Sequence, residues 1–260
     1  LKILSLNRNQ IKYIPDFNNL PILKILELYD NQIKILPNFT NLRVLKYLCL
    51  SYNRIKIIPN FNNLPMLKEL ELYNNQIKIL TNLTNLLILE SLNLSNNQIE
   101  IIHGFNLPML KRLWLDNNQI KILSNFTNLS MLEYLCLNNN QIETIPNFIN
   151  SPMLKTLYLN DNQIKIMPDF INLLVLEYIN LNNNQIEIIS NFINLPVLGS
   201  LHLSNNRIKY MPDFNLPMLK YLWLDNQIKI LSNFTNLPIL KLLYLNNNQI
   251  EIIPDFINSP

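Results

Sequence analysis

Apolar and polar positions alternate within a short block, Leu-x-x-Leu-x-Leu, that returns along the entire chain of 260 residues. Its first leucine stands at Leu1, Leu23, Leu45, Leu67, Leu89, Leu110, Leu132, Leu154, Leu176, Leu198, Leu219 and Leu240, in steps of 22 or 21 residues. One copy, residues 67–88, reads LKELELYNNQIKILTNLTNLLI. The period of two inside the block predicts a short strand with one buried face. A single copy is too small to bury its leucines alone, so copies must stack side by side and share one apolar column. Leu4, Leu26, Leu48 and Leu70 then form one column, and Leu6, Leu28, Leu50 and Leu72 a second. Each fully buried leucine contributes roughly 1.5–3 kcal/mol.

The other half of each copy, such as IPNFNNLPM over 58–66, is rich in Pro and Asn. Proline lacks a donor N–H and resists the interior of helices and sheets, so this side is expected to run through short 3₁₀ or extended turns. Strands on one side and slimmer turns on the other predict a curved stack. Behind the strands a second apolar spine is expected from Phe17, Phe39, Phe61, Phe105, Phe126, Phe148, Phe170, Phe192, Phe214, Phe234 and Phe256, with Leu83 standing in once. Residues 110–129 nearly reappear at 219–237 with one residue missing near Asp225–Asn226. Duplication of a five-copy block accounts for the likeness, and the gap predicts a local kink or bulge.

The full pattern, LxxLxLxxNxIxx(I/L)xx(F/L)xNLxx, resembles the leucine-rich repeat family over essentially all of the chain. It is most similar to the 22-residue class seen in regulators of a Ser/Thr protein phosphatase and in bacterial internalins. The Asn/Ile/Lys-rich, Ala-free composition is also similar to that of leucine-rich repeat proteins of AT-rich genomes, such as amoebae or giant viruses. The resemblance implies an α/β solenoid over 1–260 as a single domain. It would be a horseshoe with a concave parallel sheet, one short strand per copy, and 3₁₀ or extended turns on the convex side. It also implies a structural asparagine ladder of Asn9, Asn31, Asn53, Asn75, Asn97, Asn118, Asn140, Asn162, Asn184, Asn206, Asn226 and Asn248. Asparagine suits that place because it both donates to and accepts from backbone left unpaired at a turn.

Between the inward leucines, outward residues form columns that vary while the framework stays constant, as a rigid scaffold with a changeable face requires. Both tryptophans fall there. The candidate partner-binding residues are Trp114, Tyr134, Tyr158, Tyr178, His202, Tyr221, Trp223 and Tyr244. Exposed aromatic rings offer large apolar area, a polar handle and little rotamer entropy to lose on binding. The competing reading is that the rings only brace one another across the sheet.

Composition removes many other functions. At 48% hydrophobic the chain can bury a large core. Two glycines cannot build a three-glycine dinucleotide loop, and no phosphate-loop motif occurs. Two Cys and two His make neither a Cys-rich zinc site nor a disulfide framework, so no metal and no cofactor is expected. No apolar run is long enough to span a membrane. The 47 asparagines make six glycosylation sequons, at Asn38, Asn82, Asn93, Asn125, Asn128 and Asn233, accidental in character.

Charge is uneven. Residues 1–80 carry 11 basic and 5 acidic residues, while 81–260 carry 10 and 13. Lys2, Lys24, Lys46 and Lys68 line one rim, and Lys12, Lys34, Lys56 and Lys78 the other; further on, Glu100, Lys121, Glu143, Lys165, Glu187 and Lys209 alternate in sign. These rims are expected to solubilise the stack, or to steer an acidic partner to the first four copies. Nucleic acid is disfavoured: the pI of 8.7 falls below the usual basic-domain range, and Glu27, Asp30, Glu69 and Glu71 sit between the rims.

Ser200, His202, Ser204 and Asp225 have the composition of a hydrolytic triad, but on an open sheet with no source for an oxyanion hole, and Glu69 with Glu71 forms no cleft. No enzymatic activity is therefore expected. Cys49 and Cys136 lie four copies apart, too far for a disulfide. They are expected as free thiols exposed on the concave face, which favours a cytoplasmic location. His103 is expected on the outer side. Both ends lack a polar cap, which predicts a fragment of a longer array or ends that pack on something. The leading expectation is a non-catalytic module that binds a protein or peptide on its concave face. The alternative is a structural element that self-associates head to tail through its ends.

Overall fold

The computed structural model describes all of the chain except residues 60, 81, 82, 84, 103–105, 124–128, 146–150, 168, 169, 171, 190–194, 212, 213, 232, 233, 235 and 254–260. The chain divides into two compact units, Leu1–Leu132 and Glu133–Pro260. No helix occurs among the described residues. Among the described residues each unit is a solenoid stack with six parallel inner strands.

In the first unit these strands are β1 (Ile3–Ser5), β2 (Ile25–Glu27), β3 (Tyr47–Cys49), β4 (Glu69–Glu71), β5 (Ser91–Asn93) and β7 (Arg112–Trp114). The second unit contributes β9 (Tyr134–Cys136), β10 (Thr156–Tyr158), β11 (Tyr178–Asn180), β12 (Ser200–His202), β13 (Tyr221–Trp223) and β14 (Leu242–Tyr244). Neighbours pair one copy apart and in register, Leu26 with Leu48 and Leu48 with Leu70, because a constant period leaves no competing alignment. The central residue of each inner strand points into the core: Leu48, Leu70, Leu157 and Leu201 are fully buried.

The return side is made of two consecutive turns. Leu20 N–H donates to Phe17 C=O at 3.0 Å, and Leu23 N–H donates to Leu20 C=O at 3.1 Å; Phe39, Leu42 and Leu45 repeat the arrangement. Pro21 occupies the second position of the latter turn, where a fixed φ helps and no N–H is needed. The spine expected from the phenylalanines is buried at Phe39, Phe61, Leu83, Phe170, Phe214 and Phe234, with Phe17 half-buried near the first edge. Phe105, Phe126, Phe148, Phe192 and Phe256 lie outside the described residues, as do His103 and the sequon asparagines 82, 125, 128 and 233.

A second, narrower ladder was not foreseen. In the first unit β6 (Ile101–Ile102) pairs in parallel with β8 (Ile122–Leu123), and bridges Ile57–Ile79 and Ile79–Ile101 extend the row.

The asparagine ladder has one bonding scheme. Asn53 Oδ1 accepts the Ile33 N–H of the preceding copy at 2.9 Å, while its Nδ2 donates to Leu28 C=O and Leu50 C=O, each at 3.0 Å. Asn31, Asn75, Asn97, Asn162 and Asn184 repeat these contacts; Asn118 does so across a shorter copy. Asn140, Asn206, Asn226 and Asn248 donate to carbonyls in the same manner, whereas Asn9 on the first copy is exposed. Just before every ladder asparagine except Asn226 the backbone turns through positive φ, as at Asp30 (56°), Asn96 (53°) and Asn205 (58°).

The missing residue near Asp225–Asn226 is this positive-φ residue. Of the kink or bulge expected there, no strand bulge forms, for β13 stays in register with both β12 and β14. The shortening is absorbed in the turn instead. Asn226 Oδ1 accepts Asn206 N–H at 2.8 Å, and Asn226 N–H donates to Asn248 Oδ1 at 3.2 Å.

Candidate functional site

On a strand whose central residue is buried, the flanking residues face outward. In the second unit these positions bring most of the candidate aromatic residues into one row. Ring centroids are 5.7 Å apart for Tyr134 and Tyr158, 4.9 Å for Tyr158 and Tyr178, and 5.1 Å for Tyr178 and His202. His202 lies flat on Trp223 at 3.8 Å and 11°, and Trp223 stacks on Tyr244 at 5.8 Å. Tyr221 touches the same tryptophan at 6.1 Å. Register explains the contacts, because His202 pairs with Trp223 and Trp223 with Tyr244 directly across the ladder. The rings therefore do brace one another. Yet Tyr221 and Tyr244 stay 39% and 41% exposed and the others half-buried, so the row also presents an accessible apolar surface.

Trp114 belongs to the first unit, where the Arg112 guanidinium sits over its ring at 6.0 Å. That unit has a second aromatic cluster, missing from the expected site. Tyr29, Tyr52 and Tyr73 meet with centroids 5.0 and 5.2 Å apart along Tyr29–Tyr52–Tyr73. Tyr29 and Tyr73 stand in an outward column. Tyr52 occupies the positive-φ turn (53°), a place usually left to Asn, and its being a tyrosine was the available signal.

Burial shapes the chemistry of these groups. It lowers the His202 imidazole to about 4, leaving it neutral at physiological pH, and raises the Tyr178 hydroxyl to about 12. Burial also raises the Glu71 carboxyl, a shift opposed by a hydrogen bond from Asn93. At the rim, hydrogen bonds from Lys68 and Lys111 hold Glu90 down to about 2. In the second unit Lys155 pairs with Glu133 (3.0 Å) on the same rim, and Lys165 with Glu143 (3.8 Å) in the row of alternating sign.

The triad-like residues separate. Ser200 Oγ and His202 Nε2 share a hydrogen bond of 3.0 Å, but Asp225 Oδ2 accepts from Ser204 Oγ at 2.8 Å and the imidazole face is covered by Trp223. Glu69 and Glu71 flank a buried leucine on β4. No group of three or more potential metal ligands occurs among the described residues.

The cysteines differ from expectation. Neither forms a disulfide, but both are buried, at 7% exposure for Cys49 and 5% for Cys136. A small side chain in an outward column is overshadowed by its larger neighbours, Glu27 and Glu71 for Cys49 and Tyr158 for Cys136. Burial raises the Cys49 thiol, and the inference from exposed thiols to a compartment loses its basis. Among the described residues no helix is long and apolar enough to cross a membrane.

Comparison with known families agrees with this geometry. Family descriptions reading "Leucine Rich repeats (2 copies)" match residues 43–85 and 130–172, "Leucine rich repeat" matches 1–55, and "Leucine Rich Repeat" matches 89–107 and 240–259. The chain belongs to the leucine-rich repeat family. No curated protein matches it. Among solved structures it is similar to an internalin (inlF) of Listeria monocytogenes, at 25% identity and a TM-score of 0.77, covering 100% of this chain and 86% of that one. A leucine-rich repeat protein of Leptospira interrogans is 27% identical with a TM-score of 0.76, over 98% and 76% of the two chains. TLR13, in complex with ssRNA13, is 30% identical with a TM-score of 0.86, over 99% of this chain and 42% of its own.

Proposed function

We propose that the chain is a non-catalytic recognition module that holds a protein or peptide on the outward face of its sheet, with the aromatic row of the second unit as the anchor. The observation that carries this reading is the unbroken series of ring contacts from Tyr134 to Tyr244 on consecutive strands. Mutual bracing fixes the rotamers before a partner arrives, so little side-chain entropy remains to be lost, and large amphipathic rings supply the kind of contact that dominates interfaces. Trp114 with Arg112 offers a separate contact in the first unit.

The test is capture of binding proteins from source lysate by the wild-type chain and by a Tyr158→Ala/Trp223→Ala variant. The framework is untouched, so the variant should fold, and loss of the anchors should weaken capture by at least ~10-fold. Equal capture by a folded variant refutes the site.

A further inference from the structure

The proposed anchor does not use a second surface, on the first unit. Ile35, Ile57 and Ile79 stand two residues after the buried Ile33, Ile55 and Ile77, yet are 74%, 75% and 63% exposed. They recur at one position per copy, and the bridges Ile57–Ile79 and Ile79–Ile101 of the narrow ladder hold the last two in a row. Backbone pairing needs no particular side chain, so a threonine would serve the ladder equally well at far less apolar exposure. Between consecutive isoleucines lie shallow grooves. One is lined by Lys34, Ile35, Leu36, Lys56, Ile57 and Pro59, the next by Lys56, Ile57, Gln76, Lys78, Ile79 and Gln98. Each isoleucine thus stands beside a lysine of the same sign, with Arg54 adding charge on the groove beside Ile35. The row meets its first acidic residue at Glu100. In the second unit the same places hold Glu143, Lys165, Glu187 and Lys209, so uniform positive charge beside the isoleucines is confined to the first.

We propose that this stripe docks an acidic amphipathic α-helix of another protein, its apolar side chains entering the grooves between the isoleucines and its carboxylates meeting Lys34, Lys56 and Lys78. Spacing favours a helix. Adjacent strands lie about 4.8 Å apart, and a helix presents one residue per turn on a given face every ~5.4 Å, so the two stay in step to about 1 Å across three copies. An extended segment, with side chains on one face every ~6.6 Å, falls out of step by the second copy. The Lys row supplies complementarity and encounter rate, and the grooves supply position.

The probe is a fluorescein-labelled synthetic helix of about five turns, Ala-rich, with one Leu and one adjacent Glu per turn. Binding to the full chain is followed by anisotropy at low salt. Saturable binding is expected, weakened at least ~10-fold by Ile35→Thr/Ile57→Thr/Ile79→Thr. Lys34→Glu/Lys56→Glu/Lys78→Glu should abolish it and confer binding to the same peptide with Lys in place of Glu. The Tyr158→Ala/Trp223→Ala variant should bind the helix as the wild type does, which separates this surface from the aromatic row. Absence of saturable binding, equal binding by the substituted stripes, or preference for phosphatidylserine vesicles over the peptide overturns the proposal.

Discussion

Asn53 holds four hydrogen bonds with one amide group: it accepts from Ile33 N–H and donates to the carbonyls of Leu28, Leu50 and Ser51. Two of these partners lie in the preceding copy, so the side chain closes its own turn and stitches neighbours together. Replacing it with alanine orphans buried backbone groups. Each unsatisfied group costs about 1–3 kcal/mol, so Asn53→Ala should destabilise by about 3 kcal/mol or more, read as a lower urea midpoint at unchanged m. His202 makes a second prediction. Unfolded, its imidazole titrates near ~6.5; folded, it resists protonation down to about 4. The unfolded chain therefore binds the extra proton between these values, and stability falls as pH drops from about 6.5 to about 4. His202→Gln should flatten that part of the curve in urea titrations at several pH values. The ladder was legible from a recurrent position joined to the family resemblance, whereas the buried state of Cys49 and Cys136 was not. An outward column reports direction, but exposure depends on the size of the residues alongside.

At the scale of the repeat, the inner strand follows from alternation and stands where the pattern puts it, and the Pro- and Asn-rich return side runs through turns. The shortened copy shows what pattern cannot reveal. Deleting one residue inside a strand would reverse every later side chain, so the loss is tolerated only where the chain is already turning. It fell on the positive-φ residue before Asn226. Inserting Asn between Asp225 and Asn226 should restore the usual turn and free Asn226 Oδ1 for the N–H of Ile208, raising stability by about 0.5–1.5 kcal/mol. No gain in melting temperature would contradict that account of the gap. The exposed row at Ile35, Ile57 and Ile79 is not legible in the pattern for a related reason. In Ile-x-Ile-x-x the two isoleucines look alike, and only the fold separates the one that enters the core from the one that does not.

Over the whole molecule, a constant interior carries two differently charged units: 14 basic and 8 acidic residues over 1–132, against 7 and 10 over 133–260. The first unit carries the lysine-flanked stripe, and the second carries the aromatic row. Repeats stabilised mainly by neighbour contacts permit such division, because outward residues change without disturbing the core. The protein has only two tryptophans, so Trp114→Phe leaves Trp223 as the single indole emitter. The direct measurement is the emission and acrylamide quenching of Trp223 in that variant as the captured partner is titrated in. A blue shift with protection from quenching that saturates with binding is predicted. A partner that binds at full strength while Trp223 emission and quenching stay unchanged would contradict the assignment of the aromatic row as the binding face.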